Sequence, residues 1–202
     1  MLILTFASES FGRKKVQDLK GAEATVRRIN VLGQKAVIKV REPKTYRNQK
    51  LDEKLRRERT RIEARLLHKA KLAGVFCPTA LEVDDFEITM TFISGKRIRI
   101  DKKTATESGK ILALLHQSNI IHGDYTPANL IQCNKKIAVI DFGLGFVSNE
   151  IEDKAVDVFT MLRVITEPGT QKAFIKGYET YQKSKSVLER VNVVEKRVRY
   201  AI

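Results

Sequence analysis

Hydrophobic and polar residues follow two different periods, and the change falls midway along the chain. Before it, short β-branched runs predict strands; the clearest is 35–40, which follows a turn at Gly33. Stretches 80–83 and 87–93 predict two more strands. After Ser94-Gly95, apolar residues recur at steps of three and four, which is typical of helices.

One long helix is expected among the strands, over 51–72, with Gly74 beyond its end. Apolar residues recur there at helical steps and would form its buried face, namely Leu51, Leu55, Ile62, Leu66 and Ala70. Further helices are expected at 104–117 with Thr104 as its cap, at 153–165 ended by Pro168-Gly169, at 171–183 and at 187–197.

A short polar constellation carries the chemistry. Residues 122–129 read H-x-D-x-x-x-x-N, and D-F-G follows at 141–143 after a strand-like run. Asp141 suits a Mg²⁺ ligand, and Asn129 suits a second one because an amide oxygen binds without adding charge. Asp124 suits the group that orients or deprotonates an attacking hydroxyl or water. Each residue type is common in turns, but the three at this spacing predict phosphoryl transfer from Mg-ATP.

Other residues should complete a nucleotide site. A lysine from a central strand is needed at the α- and β-phosphates, and Lys39 fits unless its strand is an exposed edge. A helix carboxylate should pair with it: Glu63 is preferred because it lies next to the apolar face, and Glu58 is the competitor. Gly21 allows close backbone approach to phosphate, although no G-x-G-x-x-G is present. His122 is expected to pack and hydrogen-bond locally.

Two absences argue against a broad-specificity signalling kinase. Thr126 stands where ordinary serine/threonine protein kinases carry a lysine. Only thirteen residues separate Gly143 from Asp157, with no A-P-E segment. A long activation loop usually forms the platform for a peptide substrate, and this chain has too few residues for one.

The order of elements, strands with one helix first and helices second, predicts an α+β fold. We expect a minimal bilobal protein-kinase-like fold, with a small β-rich N-lobe at 1–93 and a helical C-lobe at 94–202, forming one kinase-like domain.

Charge and composition indicate the kind of partner that the protein binds. The 202 residues carry a formal net charge of +14, and 39–71 holds thirteen Lys or Arg against five Asp or Glu, a net of +8. This favours a polyanionic partner, with nucleic acid ahead of an acidic protein; a solvated helix rich in ion pairs is the alternative. The two cysteines have no metal-like spacing, and the sequence shows neither a signal peptide nor an apolar run of 18 residues. These features predict a soluble, cytoplasmic protein with no membrane association.

Several motifs together resemble one known family, the small atypical kinase/ATPase subunit of the KEOPS (EKC) complex of archaea and eukaryotes. They are Lys20-Gly21-Ala22-Glu23-Ala24, Pro43-Lys44-x-Tyr46-Arg47, Leu55-Arg56-x-x-Arg59-Thr60-x-x-Glu63-Ala64, Ile121-His122-Gly123-Asp124-Tyr125-Thr126, Asp141-Phe142-Gly143-Leu144-Gly145 and Glu152-Asp153-Lys154-Ala155-Val156-Asp157. They extend over about 20–165. RIO kinases share a similar catalytic loop, but usually not D-F-G-L-G followed by E-D-K-A-V-D.

The resemblance implies a two-lobed fold with ATP and Mg²⁺ between the lobes, and hinge residues Phe92 and Ile93 at the nucleotide. It implies that Asp157 anchors the catalytic loop. It also implies autophosphorylation on serine or threonine and an ATPase role in threonylcarbamoyl modification of tRNA, beside an ASKHA-fold subunit that performs the transfer. Residues 196–202 lack the R-G-R-K-R-like end that is common in the family, which weakens the case for tRNA contact through the C-terminal tail.

Three functions remain open on the sequence alone. The favoured one is a partner-dependent ATPase and weak kinase of the tRNA-modification complex. The second is a dedicated serine/threonine kinase of a specific partner, because water and a serine hydroxyl attack the same phosphorus. The third is a nucleotide-dependent docking module.

Overall fold

A five-stranded antiparallel sheet begins the structure. The computed structural model of the protein describes residues 19–20 and 24–200. The strands are β1 (Leu19–Lys20), β2 (Thr25–Val31), β3 (Gln34–Val40), β4 (Ala80–Val83) and β5 (Glu87–Thr91), in the spatial order β1-β2-β3-β5-β4. The expected strands are therefore present, although the last ends at Thr91 and not at Ile93.

The hairpin of β2 and β3 fixes the position of Lys39. Leu32 and Gly33 connect the strands with φ of 49° and 81°, the left-handed conformation that a tight two-residue hairpin turn requires. In the resulting register Lys39 lies opposite Val26 on one side and Ile88 on the other. β3 is thus an interior strand, and the alternative of an exposed edge is wrong.

The long helix α1 (Gln49–Leu72) crosses from β3 to β4. The Asn48 side chain caps its start by accepting the Lys50 N–H at 3.1 Å, and Gly74, with φ of 83°, turns the chain after its end.

Two of the five residues expected on the buried face of α1 face solvent instead. Leu51 and Ile62 are exposed, and the buried residues are Asp52, Thr60, Glu63, Leu66, Leu67 and Ala70. At 3.6 residues per turn the buried set is centred roughly 120° around the helix from Leu51. Polar pairing determines which side of α1 is buried: Asp52 can be buried because it accepts a 2.7 Å hydrogen bond from Arg56.

Helices dominate the rest of the chain. They are α2 (Lys102–Gln117), α3 (Ile151–Val164), α4 (Pro168–Tyr178) and α5 (Ser184–Tyr200). β6 (Lys96–Arg97), β8 (Leu130–Cys133) and β9 (Lys136–Val139) form a small antiparallel sheet, and β7 (Ile120–Ile121) pairs with β10 (Phe146–Val147). The expected lobe boundary at Ser94-Gly95 lies in the link between β5 and β6.

Three helix ends differ most clearly from the sequence predictions. Asp101, not Thr104, caps α2; Thr104 supplies the second half of a capping box three residues later. Pro168 does not end a helix but opens α4, because the first helical residue needs no N–H donor, and Glu167 is its cap. α4 ends at Tyr178, short of the expected residue 183.

The helices pack closely at two glycines. α2 lies against α4, and α3 against α5. A Cβ on Gly109 would lie 2.2 Å from the carbonyl oxygen of Phe174, and one on Gly177 would lie 2.0 Å from that of Thr106. These residues let the α2 and α4 backbones touch.

One hydrophobic cluster runs from α1 and the sheet into the helices, and Leu66, Ile88, Leu112, Phe142 and Phe174 are among its fully buried members. Within the residues described, no helix is both long and apolar enough to cross a membrane.

Candidate nucleotide and phosphoryl-transfer site

The loop after β7 is held by a carboxylate from α3. Asp157, which is fully buried, accepts the backbone N–H of His122 at 2.6 Å and that of Gly123 at 2.8 Å. The His122 ring lies between those of Tyr125 and Phe142, with centroids 5.6 and 4.9 Å away, and its Nε2 lies 3.1 Å from the backbone oxygen of residue 140. Both residues therefore have the structural roles expected from the sequence.

Asp124 and Asn129 meet beyond this anchor. The Asn129 side-chain nitrogen donates at 2.9 Å to the backbone oxygen of Asp124 and at 2.9 Å to its Oδ2. Since the amide nitrogen faces Asp124, the amide oxygen is turned away from it and is the atom that could meet a cation. The Asn129 carbonyl accepts the Ile140 N–H at 3.0 Å, so this loop lies beside the approach to Asp141.

Asp141 follows β9 in a left-handed conformation, with φ of 62°. Its Oδ1 lies 2.6 Å from Lys39 Nζ and accepts the Gly143 N–H at 3.2 Å. Burial acts to raise the pKa of Asp141, but the Lys39 ammonium and the Gly143 bond outweigh it, and the pKa lies below the ordinary value. The carboxylate is half exposed, so it is charged and accessible to a metal ion.

Lys39 also meets the carboxylate that the sequence favoured. Its Nζ lies 2.7 Å from Oε1 of Glu63, whose side chain is only 2% exposed. The competitor Glu58 is more than half exposed and lies 4.0 Å from Lys54. The Lys39–Glu63 pair is thus formed between the interior strand and the inward face of α1.

Sequence reasoning missed Arg41. Its Nη2 donates at 2.6 Å to Oε2 of Glu63, and its side chain is 4% exposed. The available signal was the spacing: residues two apart on a strand share a face, so Arg41 follows Lys39 toward the same carboxylate.

Gly143 leaves open the space between these charges. A Cβ at this position would lie 2.9 Å from Asp141 Oδ1, 3.1 Å from Lys39 Nζ and 3.2 Å from Arg41 Nη2. Two cations and an exposed carboxylate therefore surround a space that a side chain would fill, a donor set suited to a phosphate with a hard divalent cation.

Among the residues described, no group of three His, Cys, Asp or Glu could by itself hold a metal ion. A Mg²⁺ site does not require such a group, because Mg²⁺ usually takes one or two protein ligands and completes its shell with phosphate oxygens and water.

The remaining predicted nucleotide contacts are not brought into this cluster. Gly21 lies outside the described residues. The Phe92 N–H donates to the Lys35 carbonyl at 3.1 Å, so that amide is not available to an adenine, and the ring lies 4.8 Å from the Arg28 guanidinium. Ile93 follows, partly exposed, in the link after β5.

The segment after Gly143 is tied directly to the catalytic loop. The Gly145 N–H donates to the Phe142 carbonyl at 3.0 Å, and in the pairing of β10 with β7 Phe146 lies opposite Ile121. α3 begins a few residues later. The short run therefore folds back on the site and leaves no extended platform for a peptide.

A buried polar network supports the Asp157 anchor. His116 Nδ1 lies 2.7 Å from the Tyr178 hydroxyl and Nε2 3.4 Å from Asp157 Oδ2. Burial lowers the pKa of His116 and outweighs the Asp157 carboxylate, so the ring is neutral at physiological pH. Lys154, 2% exposed, donates to Asn119 Oδ1 at 3.0 Å and contacts the Tyr181 hydroxyl at 3.1 Å. No local pattern predicts the Lys154 contacts.

A basic face lies beside the site on α1 and the loop before it. A cavity of about 180 Å³ there is lined by Arg41, Glu42, Lys44, Tyr46, Arg47, Arg56 and Arg59. Two of the five acidic residues in the basic run, Asp52 and Glu63, are buried and already bound to cations. Each of these pairs removes one charge of each sign, so the face keeps the net positive charge of the run.

The fold and this arrangement of Lys39, Glu63, Asp124, Asn129 and Asp141 define a protein-kinase-like molecule. The Rio2 kinase of Chaetomium thermophilum, solved as an ADP/Mg²⁺-phosphoaspartate complex, superposes with a TM-score of 0.65 at 12% identity, covering 93% of this chain and 71% of that one. The macrolide 2′-phosphotransferase MphH of Brachybacterium faecium superposes with a TM-score of 0.61 at 15% identity, covering 86% and 81%. At these identities the likeness concerns the fold.

Sequence comparison gives the family. The RIO domain matches residues 28–160. A probable serine/threonine-protein kinase BUD32 homolog of Archaeoglobus fulgidus is 40% identical, covering 89% of this chain and 94% of that protein. A probable bifunctional tRNA threonylcarbamoyladenosine biosynthesis protein of Methanosarcina acetivorans is 40% identical over 84% of this chain.

The chain belongs to the RIO-domain family of atypical protein kinases, and within it to the Bud32-type group, whose relatives are named for tRNA threonylcarbamoyladenosine biosynthesis. The family resemblance read from the sequence is confirmed. The chain spans about a third of the length of the bifunctional relatives (32% of the Methanosarcina acetivorans protein).

Proposed function

We propose that the protein is a Mg-ATP-dependent atypical serine/threonine kinase and ATPase that acts in the cytoplasm as a subunit of the KEOPS complex and supports threonylcarbamoyladenosine modification of tRNA. The observation that carries the phosphoryl-transfer part is the cluster in which Lys39 bridges Glu63 and Asp141 beside the Asp124–Asn129 pair. The names of the relatives carry the link to tRNA modification.

Each residue has a chemical task in this proposal. Lys39 binds the α- and β-phosphates, and Glu63 holds the lysine in place. Asp141 and Asn129 offer oxygen atoms to Mg²⁺, which when bound neutralises charge on the phosphates. Asp124 orients the attacking hydroxyl or water and accepts its proton.

The predicted contacts outside the charged cluster would complete the nucleotide site. Gly21 would lie over the phosphates. Phe92 and Ile93 would line the adenine. Because the Phe92 N–H already donates to the Lys35 carbonyl, the polar contact would come from the backbone of Ile93 or from another backbone carbonyl. The lobes would be 1–93 and 94–202, with the nucleotide between them.

The decisive experiment replaces the proposed metal ligand. Asp141→Asn removes the carboxylate charge with little change of shape, so ATP hydrolysis should fall at least about a hundredfold, the scale on which preorganised electrostatic groups act. Asp153→Asn, on the first turn of α3, is the matched control and should hydrolyse ATP normally. Normal Mg-ATP turnover by Asp141→Asn would overturn the site assignment.

Hydrolysis and protein phosphorylation share this site, and a partner assay separates them. ATP hydrolysis and phosphate transfer should be compared with and without tRNA and the ASKHA-fold subunit. Stimulated hydrolysis supports the proposal; stoichiometric transfer to one protein site favours a dedicated kinase. If Lys39→Ala still binds the ASKHA-fold subunit and supports modification as well as wild type, the protein is a docking module.

The basic face is proposed to bind tRNA. Binding through phosphates releases counterions, so affinity should fall roughly 10³-fold or more between about 50 and 200 mM salt if six or more phosphates are contacted. Lys44→Glu with Arg59→Glu, both lining the cavity of this face, should weaken binding; Lys172→Glu with Lys176→Glu, exposed on α4, is the charge-matched control. Salt-independent affinity, or equal effects of both pairs, would remove the electrostatic case for this face.

A further inference from the structure

The carboxylate of Glu63 is shared between two cations. Lys39 Nζ lies 2.7 Å from Oε1, and Arg41 Nη2 lies 2.6 Å from Oε2. Lys39 lies in β3 and Arg41 directly follows that strand, and Glu63 comes from α1. Each oxygen of the carboxylate therefore has its own positive partner.

Because Glu63 and Arg41 are both buried, the pairing between them matters for stability. The side chains of Glu63 and Arg41 are 2% and 4% exposed, so water cannot replace a lost partner for either. A buried carboxylate that loses its partner is strongly destabilising. If Lys39 were the sole partner, the same ammonium would have to balance Glu63 and an incoming phosphate together.

Lys39 is also drawn to a second carboxylate, since its Nζ lies 2.6 Å from Asp141 Oδ1. Lys39, Arg41, Glu63 and Asp141 together carry two positive and two negative charges. Without Arg41 the same cluster would be net negative, and it would then both repel a polyphosphate and hold Lys39 more tightly.

We propose that Arg41 is a positioning residue of the nucleotide site: it stays paired with Glu63, keeps α1 turned inward, and thereby lets Lys39, still held by Glu63, exchange Asp141 for the phosphates of ATP. This inference rests on the proposed function, because it assigns Arg41 a part in binding the same nucleotide. Arg41 acts through Glu63 and Lys39.

Nucleotide binding tests the charge argument. Arg41→Met keeps an unbranched chain but removes the charge, and it should raise KM and the Kd for Mg-ATP about tenfold while kcat changes less than about threefold, because uniform binding is lost. Arg41→Lys should recover most of the affinity. Arg56→Lys, at an arginine bound to Asp52 near the same cavity, is the control and should leave KM unchanged.

A double variant separates positioning from mere support of the fold. Arg41→Met with Glu63→Gln removes one charge of each sign, so the cluster is neutral again and Mg-ATP should bind more tightly than to Arg41→Met alone. A purely structural arginine predicts equal or weaker binding in the double variant. That result, or an unchanged Kd in folded Arg41→Met, would overturn the proposal.

Thermal unfolding without nucleotide tests the pairing by itself. Lys39→Met should lower Tm by no more than about 4 °C, because Glu63 retains Arg41, whereas Lys39→Met with Arg41→Met should lower it by more than the sum of the single changes. Additive effects would overturn the proposal. This measurement remains decisive if the wild-type chain binds no ATP, a result that would count against the proposed function alone.

Discussion

Removing the charge of Asp157 tests how the catalytic loop is held. Its carboxylate accepts the N–H groups of His122 and Gly123 at 2.6 and 2.8 Å, and it is fully buried. Asparagine has one side-chain acceptor oxygen, so Asp157→Asn keeps one of these bonds and turns an NH₂ group toward the other N–H. Hydrogen bonds to charged groups contribute about 1.5–3 kcal/mol each, and an orphaned buried donor costs about 1–3 kcal/mol.

The expected loss of unfolding free energy is therefore about 2–3 kcal/mol, against a total of about 5–15 kcal/mol for a domain. The variant should fold, with a Tm lower by roughly 5–10 °C at about 2–4 °C per kcal/mol for a chain of this size. ATP hydrolysis should fall further than stability, because Asp124 directly follows the two anchored residues.

Circular dichroism during heating measures Tm, and phosphate release at a temperature where both proteins are folded measures hydrolysis. Asp153→Asn, one turn earlier on α3, is the control and should change neither quantity. If Asp157→Asn melts within about 1 °C of the wild type and hydrolyses ATP at the same rate, the anchor described here does not hold the loop.

Two further predictions concern the helices below the site. Because the folded-state pKa of His116 is lowered, the unfolded chain binds the proton more readily, so stability is complete above the ordinary value of 6.5 and declines below it. His116→Gln should flatten this decline in urea titrations between pH 7 and 5; an unchanged slope would exclude His116 as its source. Gly177→Ala should cost about 1–3 kcal/mol, since its Cβ would meet the Thr106 carbonyl at 2.0 Å. Gly74→Ala, with open space but φ of 83°, should cost about 1 kcal/mol, and a larger loss there would contradict the packing argument.

The sequence predicted where the helices and strands lie better than it predicted which side of each is buried. The interior strand at 34–40 and the long helix α1 were found from local signals, because β-branched runs and four-residue steps reflect the geometry of the element itself. The buried side of α1 was wrong, since Leu51 and Ile62 repeat at helical spacing yet face solvent. Apolar spacing does not show that Asp52 is buried with Arg56 of the same helix, or that Glu63 is buried with cations from another segment.

Local spacing also determined most of the candidate site. Asp124, Asn129 and Asp141 fall within eighteen residues, and their turn conformations depend on near neighbours. The family resemblance rests on the same short motifs, and the RIO-domain match confirms it.

Tertiary structure alone decided how the charges are shared. Lys39 meets Glu63 across 24 residues and Asp141 across 102, and His116 reaches Asp157 across 41. Such contacts depend on how the sheet, α1 and α3 pack, which no local pattern records. The sequence by itself thus predicted which residues would carry the proposed phosphoryl-transfer chemistry. The packed fold decided that Glu63 has a second cation, because burial made each of its oxygens need a partner.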